Sequence, residues 1–224
     1  MNVKIHDKYS DHKTLGVAAL IPAFNPGEDL ISLVHELREV GFAPIILVDD
    51  GSDDLCKDVF TSLSNLPDVD VLRHAAELGR GRALRTGFNH FLLNHPDSAG
   101  VVTIDANGPH LPEDAVAVAQ TLLRNPRKLV LGCRVFGEDL PFKTKVGNMV
   151  ERSLVRFFAG KRISDTRTGL RGISRSAVTQ MLELVGERYE FEMGMLVNSS
   201  KFADGVVEQR FSTSAQKARS RTAR

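Results

Sequence analysis

The segment Val101-Val102-Thr103-Ile104-Asp105-Ala106-Asn107 places a carboxylate at the end of an apolar, β-rich run. The run predicts a buried strand, and open α/β sheets bind their ligands at the carboxyl ends of such strands. A second acid at position 107 would complete a carboxylate-x-carboxylate pair able to hold a divalent cation on a diphosphate, but this chain has Asn107. Asparagine keeps a carbonyl oxygen and loses a charge. We therefore predict a Mg²⁺ or Mn²⁺ site at Asp105 and Asn107 that Asn107 weakens.

Composition excludes several classes of protein. The 224 residues suit one α/β domain with a sizeable core, and a net charge of +1 argues against binding of nucleic acid. Cys56 and Cys133 lie in unrelated segments without metal-ligand spacing, which predicts free thiols in a reducing compartment. No apolar stretch approaches the ~20 residues of a membrane-spanning helix, so a cytoplasmic location is predicted.

Helical patterns separate short β-rich runs through the first 135 residues. Strands are predicted at 16–22, 44–49, 69–73, 100–105 and 128–133. Strands separated by helices imply an α/β fold, with a Rossmann-like, mostly parallel sheet flanked by helices in a single domain. After residue 135 the pattern predicts helices at 142–160, 176–185 and 190–202, and one further strand at 168–174.

The predicted domain covers residues 16–208, with a nucleotide half at 16–135 and an acceptor half at 136–208. Residues 1–15 are interpreted as an N-terminal tail and residues 209–224 as a basic tail. The basic tail carries cations and no acid: Arg210, Lys217, Arg219, Arg221 and Arg224. One interpretation is a solvated tail. The other is attachment to anionic lipid on the cytoplasmic membrane face, at about 1 kcal/mol per basic residue.

Two turns that follow predicted strands carry candidate nucleoside ligands. In the first, Pro22 and Pro26 force a sharp turn that can present Phe24 to a base and Glu28 to polar edges. In the second, Asp50 precedes Gly-Ser and can bind a ribose or base, while the glycine allows close backbone approach. A plain strand-to-helix turn and a helix N-cap are the structural alternatives.

The third crossover contains Gly79-Arg80-Gly81-Arg82 at a predicted helix start. Backbone N–H groups and the helix dipole at such a start favour phosphate, and the arginines add charge for a diphosphate. A dinucleotide-binding fingerprint fails, because Leu84 occupies the position of its third glycine. A solvated basic helix face is the alternative.

Residues 134–171 supply cations without an obvious catalytic base. Arg134, Lys145 and Arg171 are predicted to face one cleft beside Asp105, which suits an acceptor that is already an anion, such as a phosphate. A plain basic surface is the alternative. Glu190 and Glu192 are two residues apart on one predicted helix, so at most one of them should face the site.

Taken together, these segments resemble family 2 glycosyltransferases of the GT-A fold. The chain is similar over about residues 16–208 to dolichol-phosphate mannose synthase and bacterial polyprenyl-phosphate sugar transferases. The resemblance depends on the ordered appearance of six segments: Ile21-Pro22-Ala23-Phe24-Asn25, Val48-Asp49-Asp50-Gly51-Ser52, Leu78-Gly79-Arg80-Gly81-Arg82-Ala83, Asp105-Ala106-Asn107-Gly108, Gly132-Cys133-Arg134 and residues 165–171.

The resemblance implies an inverting, metal-dependent hexosyltransferase that moves a sugar from a nucleotide diphosphate sugar to a polyprenyl or dolichyl phosphate. It implies catalytic roles for Asp105 and Arg134, and an acceptor site at Arg134, Lys145 and Arg171. The implied donor site comprises Pro22, Phe24, Glu28, Asp50, Gly79, Arg80, Asp105 and Asn107. The family usually has Asp at 107, Gln at 109 and Tyr at 24, and often Asn at 77. This chain departs from that pattern with Asn107, Pro109, Phe24 and Glu77.

Three functional hypotheses follow. The first is an active glycosyltransferase, in which Asp105 with the metal and Arg80 stabilise the departing nucleotide diphosphate. The second is a nucleotide-sugar-binding protein with lost or weak turnover, because Asn107 and Pro109 alter the metal motif. The third is a nucleotidyltransferase or another nucleotide enzyme on a similar sheet, which is disfavoured because the first turn lacks a glycine-rich basic loop. Asp50 and Asp105 are both predicted at exposed strand ends, so their replacement should leave the fold intact.

Overall fold

The strands form one mixed sheet with the order β3-β2-β1-β4-β6-β5-β7. The computed structural model describes residues 14–108, 110–135 and 163–212. Strand β6 runs antiparallel to β4 and β5, and the other neighbouring pairs are parallel. The strands are β1 Ala18–Ala23, β2 Ile45–Asp49, β3 Val69–Arg73, β4 Gly100–Thr103, β5 Leu129–Val135, β6 Arg171–Ser174 and β7 Val206–Ser212.

Helices cover both faces of the sheet. They are α1 Asp29–Glu39, α2 Lys57–Ser64, α3 Arg80–Asn94, α4 Pro112–Arg124, α5 Arg175–Met181, α6 Tyr189–Val197 and α7 Ser199–Phe202. Because side chains alternate along a strand, Leu20 of β1 faces the core beneath α3, α5 and α6. Its neighbour Ile21 faces the core beneath α1, α2 and α4. Within the described residues, no helix has both the length and the apolar character needed to cross a membrane.

The mostly parallel, helix-flanked sheet confirms the predicted fold class. The predicted helix at 190–202 is divided at Asn198 into α6 and α7, and the predicted helix at 142–160 lies outside the described residues. Strand β7 is not among the predicted elements, because polar residues at 208–210 interrupt its apolar pattern. This strand pairs with β5 and runs to Ser212, so residues 209–212 belong to the sheet. Arg210, which was assigned to the basic tail, is ion-paired with Glu208 at 3.0 Å.

The parallel register brings three strand ends to one edge of the sheet. Ala23 at the end of β1 lies opposite Asp49 at the end of β2, and β4 pairs with the other side of β1. The turns after β1, β2 and β4 therefore converge, as expected for the ligand edge of an open sheet.

Candidate active site

A cavity of about 340 Å³ opens at this edge, within the usual range for small-molecule sites. Its walls come from the turn after β1, the end of β2, the start of α3 and the start of α6. Phe24 is 45% exposed and lines this cavity. The lining residues are Pro22, Ala23, Phe24, Asp50, Glu77, Gly79, Arg80, Ala83, Arg188, Tyr189 and Glu192.

Arg80 joins two carboxylates beside this cavity. Its Nη2 is ion-paired with Asp105 Oδ1, and its Nε donates to Glu192 Oε2 at 3.0 Å. Burial opposes the charge on Arg80, but Glu192 and Asp105 outweigh it and raise the pKa of the guanidinium. The Asp105–Arg80–Glu192 chain is thus a fixed arrangement of charges at the cavity wall.

The Asp105 carboxylate is held where two glycines permit close approach. Asp105 follows β4 and is about one third exposed, with 31% of its side chain accessible. Gly108 donates its N–H to the Asp105 carbonyl at 3.1 Å, which closes the turn. Gly169 lies against the carboxylate itself, because a Cβ built there would be 2.1 Å from Oδ1. Thr103 donates its hydroxyl to the Gly169 carbonyl at 2.7 Å and holds this segment in place.

Gly169→Ala is expected to displace the Asp105 carboxylate without unfolding the protein. The clashing atom is the end of a side chain that can rotate, so the methyl group should push Oδ1 away from Arg80. In the transfer reaction that the family resemblance implies, turnover should fall about 10- to 100-fold, because a misplacement of roughly 1 Å costs on that order. Gly194→Ala is the matched control, because a Cβ there meets nothing within 4 Å. Equal turnover in the two variants would contradict this role for Gly169.

Asp50 lies at the cavity, but protein groups occupy both of its oxygens. Oδ1 lies 2.7 Å from His74 Nδ1 and accepts the Leu78 N–H at 3.0 Å. Oδ2 accepts the Gly79 N–H at 2.8 Å. Asp50 is only 4% exposed, so the prediction of an exposed strand end was wrong for this residue. Its carboxylate positions the loop that leads into α3.

Asp50→Ala should therefore reduce stability as well as any donor binding. The substitution leaves the Leu78 and Gly79 N–H groups without their carboxylate, at a cost of about 1–3 kcal/mol in the free energy of unfolding. Urea denaturation measures the loss. Asp58→Ala is the control, because Asp58 is an exposed acid on α2 and surface changes usually stay within about 0.5 kcal/mol. Matching unfolding curves for the two variants would show that Asp50 does not hold the loop.

Protein groups accept two of the N–H groups at the start of α3, where the sequence predicts N–H groups available for phosphate. Asp50 takes the Gly79 N–H, and the Glu187 carbonyl accepts the Arg82 N–H at 2.9 Å. The Arg82 side chain is ion-paired with Glu187 at 2.6 Å, and Arg85 donates to carbonyls of residues 184 and 186. Of the three arginines in this segment, Arg80 alone lines the described cavity.

Arg171 does not present its guanidinium to the cleft. It is 1% exposed, and its nitrogens donate to the carbonyls of Thr168 at 2.9 Å, Glu192 at 2.7 Å and Thr166 at 3.4 Å. Burial lowers the pKa of Arg171, against the opposing charge of Glu192. The predicted acceptor contact is corrected to a structural role, because Arg171 ties the segment behind Asp105 to α6.

The other predicted residues are distributed unevenly. Pro22, Phe24 and Gly79 line the cavity. Glu28 and Asn107 are exposed and lie outside its lining residues. The described structure includes the backbone of Arg134 in β5 but not its side chain, and Lys145 and Pro109 lie outside the described residues. His110 is buried, with its ring centroid 6.3 Å from that of Phe211.

Three further residues line the cavity without a predicted role: Glu77, Arg188 and Tyr189. Glu77 and Arg188 form an ion pair at 3.0 Å, and Tyr189 lies beside Arg188 in the lining. Of the two helix acids, Glu192 faces the site and Glu190 is exposed, which agrees with the expectation that at most one would do so. A heptad-like or strand-like pattern could not have revealed these pairs, because their partners are more than a hundred residues apart in sequence.

Comparison with known proteins shows the family to which this chain belongs. The family model for glycosyl transferase family 2 matches residues 18–182, so the chain belongs to this family. The structure is also similar to a crystal structure of glucosyl-3-phosphoglycerate synthase from Mycobacterium tuberculosis with Mn²⁺, uridine diphosphate and glucosyl-3-phosphoglycerate. The TM-score is 0.63 at 18% identity, covering 88% of this chain and 70% of that one. This likeness confirms the GT-A fold.

Two curated relatives are lipid-phosphate sugar transferases by name. The chain is 30% identical over 189 residues to a UDP-N-acetylglucosamine–dolichyl-phosphate N-acetylglucosaminyltransferase from Methanococcus voltae, covering 76% of this chain and 74% of that protein. It is 26% identical over 173 residues to an undecaprenyl-phosphate 4-deoxy-4-formamido-L-arabinose transferase from Yersinia pestis, covering 74% of this chain and 51% of that protein. The protein is thus a glycosyltransferase with relatives of this kind.

Proposed function

We propose that this glycosyltransferase moves a sugar from a nucleotide diphosphate sugar to a polyprenyl or dolichyl phosphate, with inversion at the anomeric carbon. The observation that carries the proposal is the Asp105–Arg80–Glu192 ion-pair chain beside a cavity at the carboxyl edge of the sheet. A preorganised cation at that place stabilises the negative charge that develops on the departing diphosphate. Phe24 stacks on the nucleoside base.

The charge of the cavity supports a divalent cation with the donor. Among the described lining residues, three carboxylates outnumber two guanidinium groups, and Asp105 adjoins them. A diphosphate entering this acidic site needs compensating positive charge. Asp105 and the exposed Asn107 offer one carboxylate and one amide oxygen, a set that fits Mg²⁺ or Mn²⁺ when substrate phosphates complete the ligands. Asp105 and Asn107 would hold the ion, which would neutralise charge on the leaving group.

The pairing of the cavity carboxylates supports an acceptor that needs no deprotonation. Asp50 accepts two backbone N–H groups, Glu77 pairs with Arg188, and Glu192 pairs with Arg80. Each lining carboxylate in the described part of the cavity thus already has a partner, which disfavours it as a general base. A lipid phosphate is an oxyanion at neutral pH and can attack directly.

The names of the two relatives support the same acceptor class. Arg134 and Lys145 remain the proposed contacts for the acceptor phosphate. Lys217, Arg219, Arg221 and Arg224, which lie outside the described residues, would bring the chain to an anionic membrane surface where such a lipid resides.

A transfer assay tests the proposal directly. The protein is incubated with UDP- or GDP-sugars over a manganese series, and a short polyprenyl phosphate is compared with the matching polyprenol. Transfer to the phosphate and not to the alcohol is expected, with loss of activity on chelation. Asn107→Asp should restore a carboxylate and raise turnover at low manganese. Strong activity that does not change when a chelator is added would contradict the proposed role of the divalent cation. Donor binding without transfer to any acceptor would contradict the proposed enzymatic activity.

A further inference from the structure

A carboxylate and two imidazoles meet at the end of α3 far from the cavity. Asp70 Oδ2 of β3 lies 2.8 Å from His90 Nε2 of α3 and 2.7 Å from His95 Nε2 just beyond it. The three ligand atoms all lie within 4.8 Å of one another. In the described part of the chain, this is the one group of three such side chains with that spacing.

The local backbone explains how the two histidines converge. Residues five apart on a continuous α-helix point about 140° away from each other. However, α3 ends at Asn94, and His95 has φ −125° and ψ 64°, so the chain leaves the helix at that residue. The His95 ring thereby turns back toward His90, and the ring centroids are 5.7 Å apart.

We propose that Asp70, His90 and His95 form a binding site for a first-row transition metal ion, with Zn²⁺ as the best match. Two imidazoles and one carboxylate are ligands that suit zinc, whereas magnesium and calcium prefer sites made of oxygen alone. Three protein ligands leave a fourth tetrahedral position for water. The side chains are 35%, 23% and 20% exposed in that order, so solvent reaches the site and an ion can enter.

Little movement is needed to accept the ion. With metal–ligand bonds of about 2.0–2.1 Å and tetrahedral angles, neighbouring ligand atoms lie about 3.3 Å apart. The present separations of 2.7 and 2.8 Å are those of hydrogen bonds. An ion would take the place of the shared protons, and each of these two separations would open by roughly half an ångström. The two histidine nitrogens, which now lie within 4.8 Å of each other, would settle about 3.3 Å apart.

The site is separate from the donor cavity and does not depend on the proposed function. His90 lies ten residues after Arg80, which is about 15 Å along the axis of α3. An ion here would connect the end of α3 to the edge strand β3. Because it binds the folded chain, it should raise the temperature of unfolding.

Zinc binding to the full chain tests the proposal. After chelator treatment and without nucleotide, Zn²⁺ is titrated by calorimetry, and Co²⁺ is used as a visible-absorption probe of coordination. Asp70→Asn, His90→Ala and His95→Ala are compared with the parent. The exposed His35→Ala variant is the matched histidine control, and Asp105→Ala excludes binding at the donor site.

One Zn²⁺ per chain is expected in the parent, with a tetrahedral Co²⁺ spectrum and a higher unfolding temperature. Loss of an outer-shell partner alone costs about 10- to 100-fold in affinity, so loss of a direct ligand should cost at least as much. His35→Ala and Asp105→Ala should bind like the parent. Asp70→Asn is nearly isosteric, and circular dichroism is used to check that the variant folds. The proposal would be overturned if the parent binds no zinc, or if the Asp70→Asn variant binds zinc as tightly as the parent. Asp70, His90 and His95 would then be linked by hydrogen bonds alone.

Discussion

Arg80→Ala is expected to lower sugar-transfer turnover by about 10²–10³-fold, the usual cost of removing one preorganised group that stabilises developing negative charge. The side chain links Asp105 to Glu192, so its loss removes the cation nearest the two carboxylates. Glu192 is buried and would lose its charged partner. The free energy of unfolding should therefore also fall, by about 1–3 kcal/mol.

A conservative replacement of Arg80 distinguishes the contribution of its charge to activity from the contribution of its planar geometry. Arg80→Lys keeps the charge, but an ammonium group lacks the planar fork that reaches both carboxylates, so most of the activity should still be lost. Arg82→Ala is the matched control, because Arg82 pairs with Glu187 at the surface and lies outside the cavity lining. Initial rates and urea unfolding are measured for all three variants. If the Arg80→Ala variant has the same turnover as the parent, Arg80 has no role in stabilising the leaving group.

Asp105→Ala should also reduce turnover by about 10²–10³-fold, for a different reason. The carboxylate fixes Arg80 on one side and is the one charged oxygen ligand proposed for the divalent ion. Its removal should abolish the manganese dependence of donor binding. The fold should survive, because Asp105 is partly exposed and Arg80 retains Glu192 as a partner.

Calorimetry of donor binding with and without Mn²⁺ distinguishes these effects. Asp58→Ala is the control, since Asp58 is an exposed acid on α2 remote from the cavity lining. Asp105→Asn keeps an oxygen and should retain weak metal binding with little activity. An Asp105→Ala variant that binds donor and Mn²⁺ as the parent does would place the donor site elsewhere.

Local sequence was sufficient to predict the strands and turns that form the ligand-binding edge of the sheet. Strands β1, β2 and β4 lie close to their predicted bounds. The two predicted turns follow β1 and β2, and Asp105 follows β4. Apolar periodicity and turn residues report burial and chain reversal, and these properties depend on near neighbours in the sequence. The ordered set of such turns was also enough to indicate the glycosyltransferase family.

Tertiary structure decided which polar groups are available for chemistry. Asp50 looked like a donor ligand, yet packing of the loop before α3 places two N–H groups on its carboxylate. Arg171 looked like an acceptor ligand, yet its position in β6 between β4 and β5 buries it.

The partnership of Arg80 with Glu192 joins residues 112 positions apart, and β7 becomes a strand by pairing with β5. The amino-acid sequence of this chain specifies, within each segment, where a charged side chain or a strand can occur. Whether that charge meets solvent, a ligand or another charge is set by contacts between distant segments. Those contacts form only when side chains are buried and strands are paired in the folded chain. Local sequence patterns therefore do not predict them.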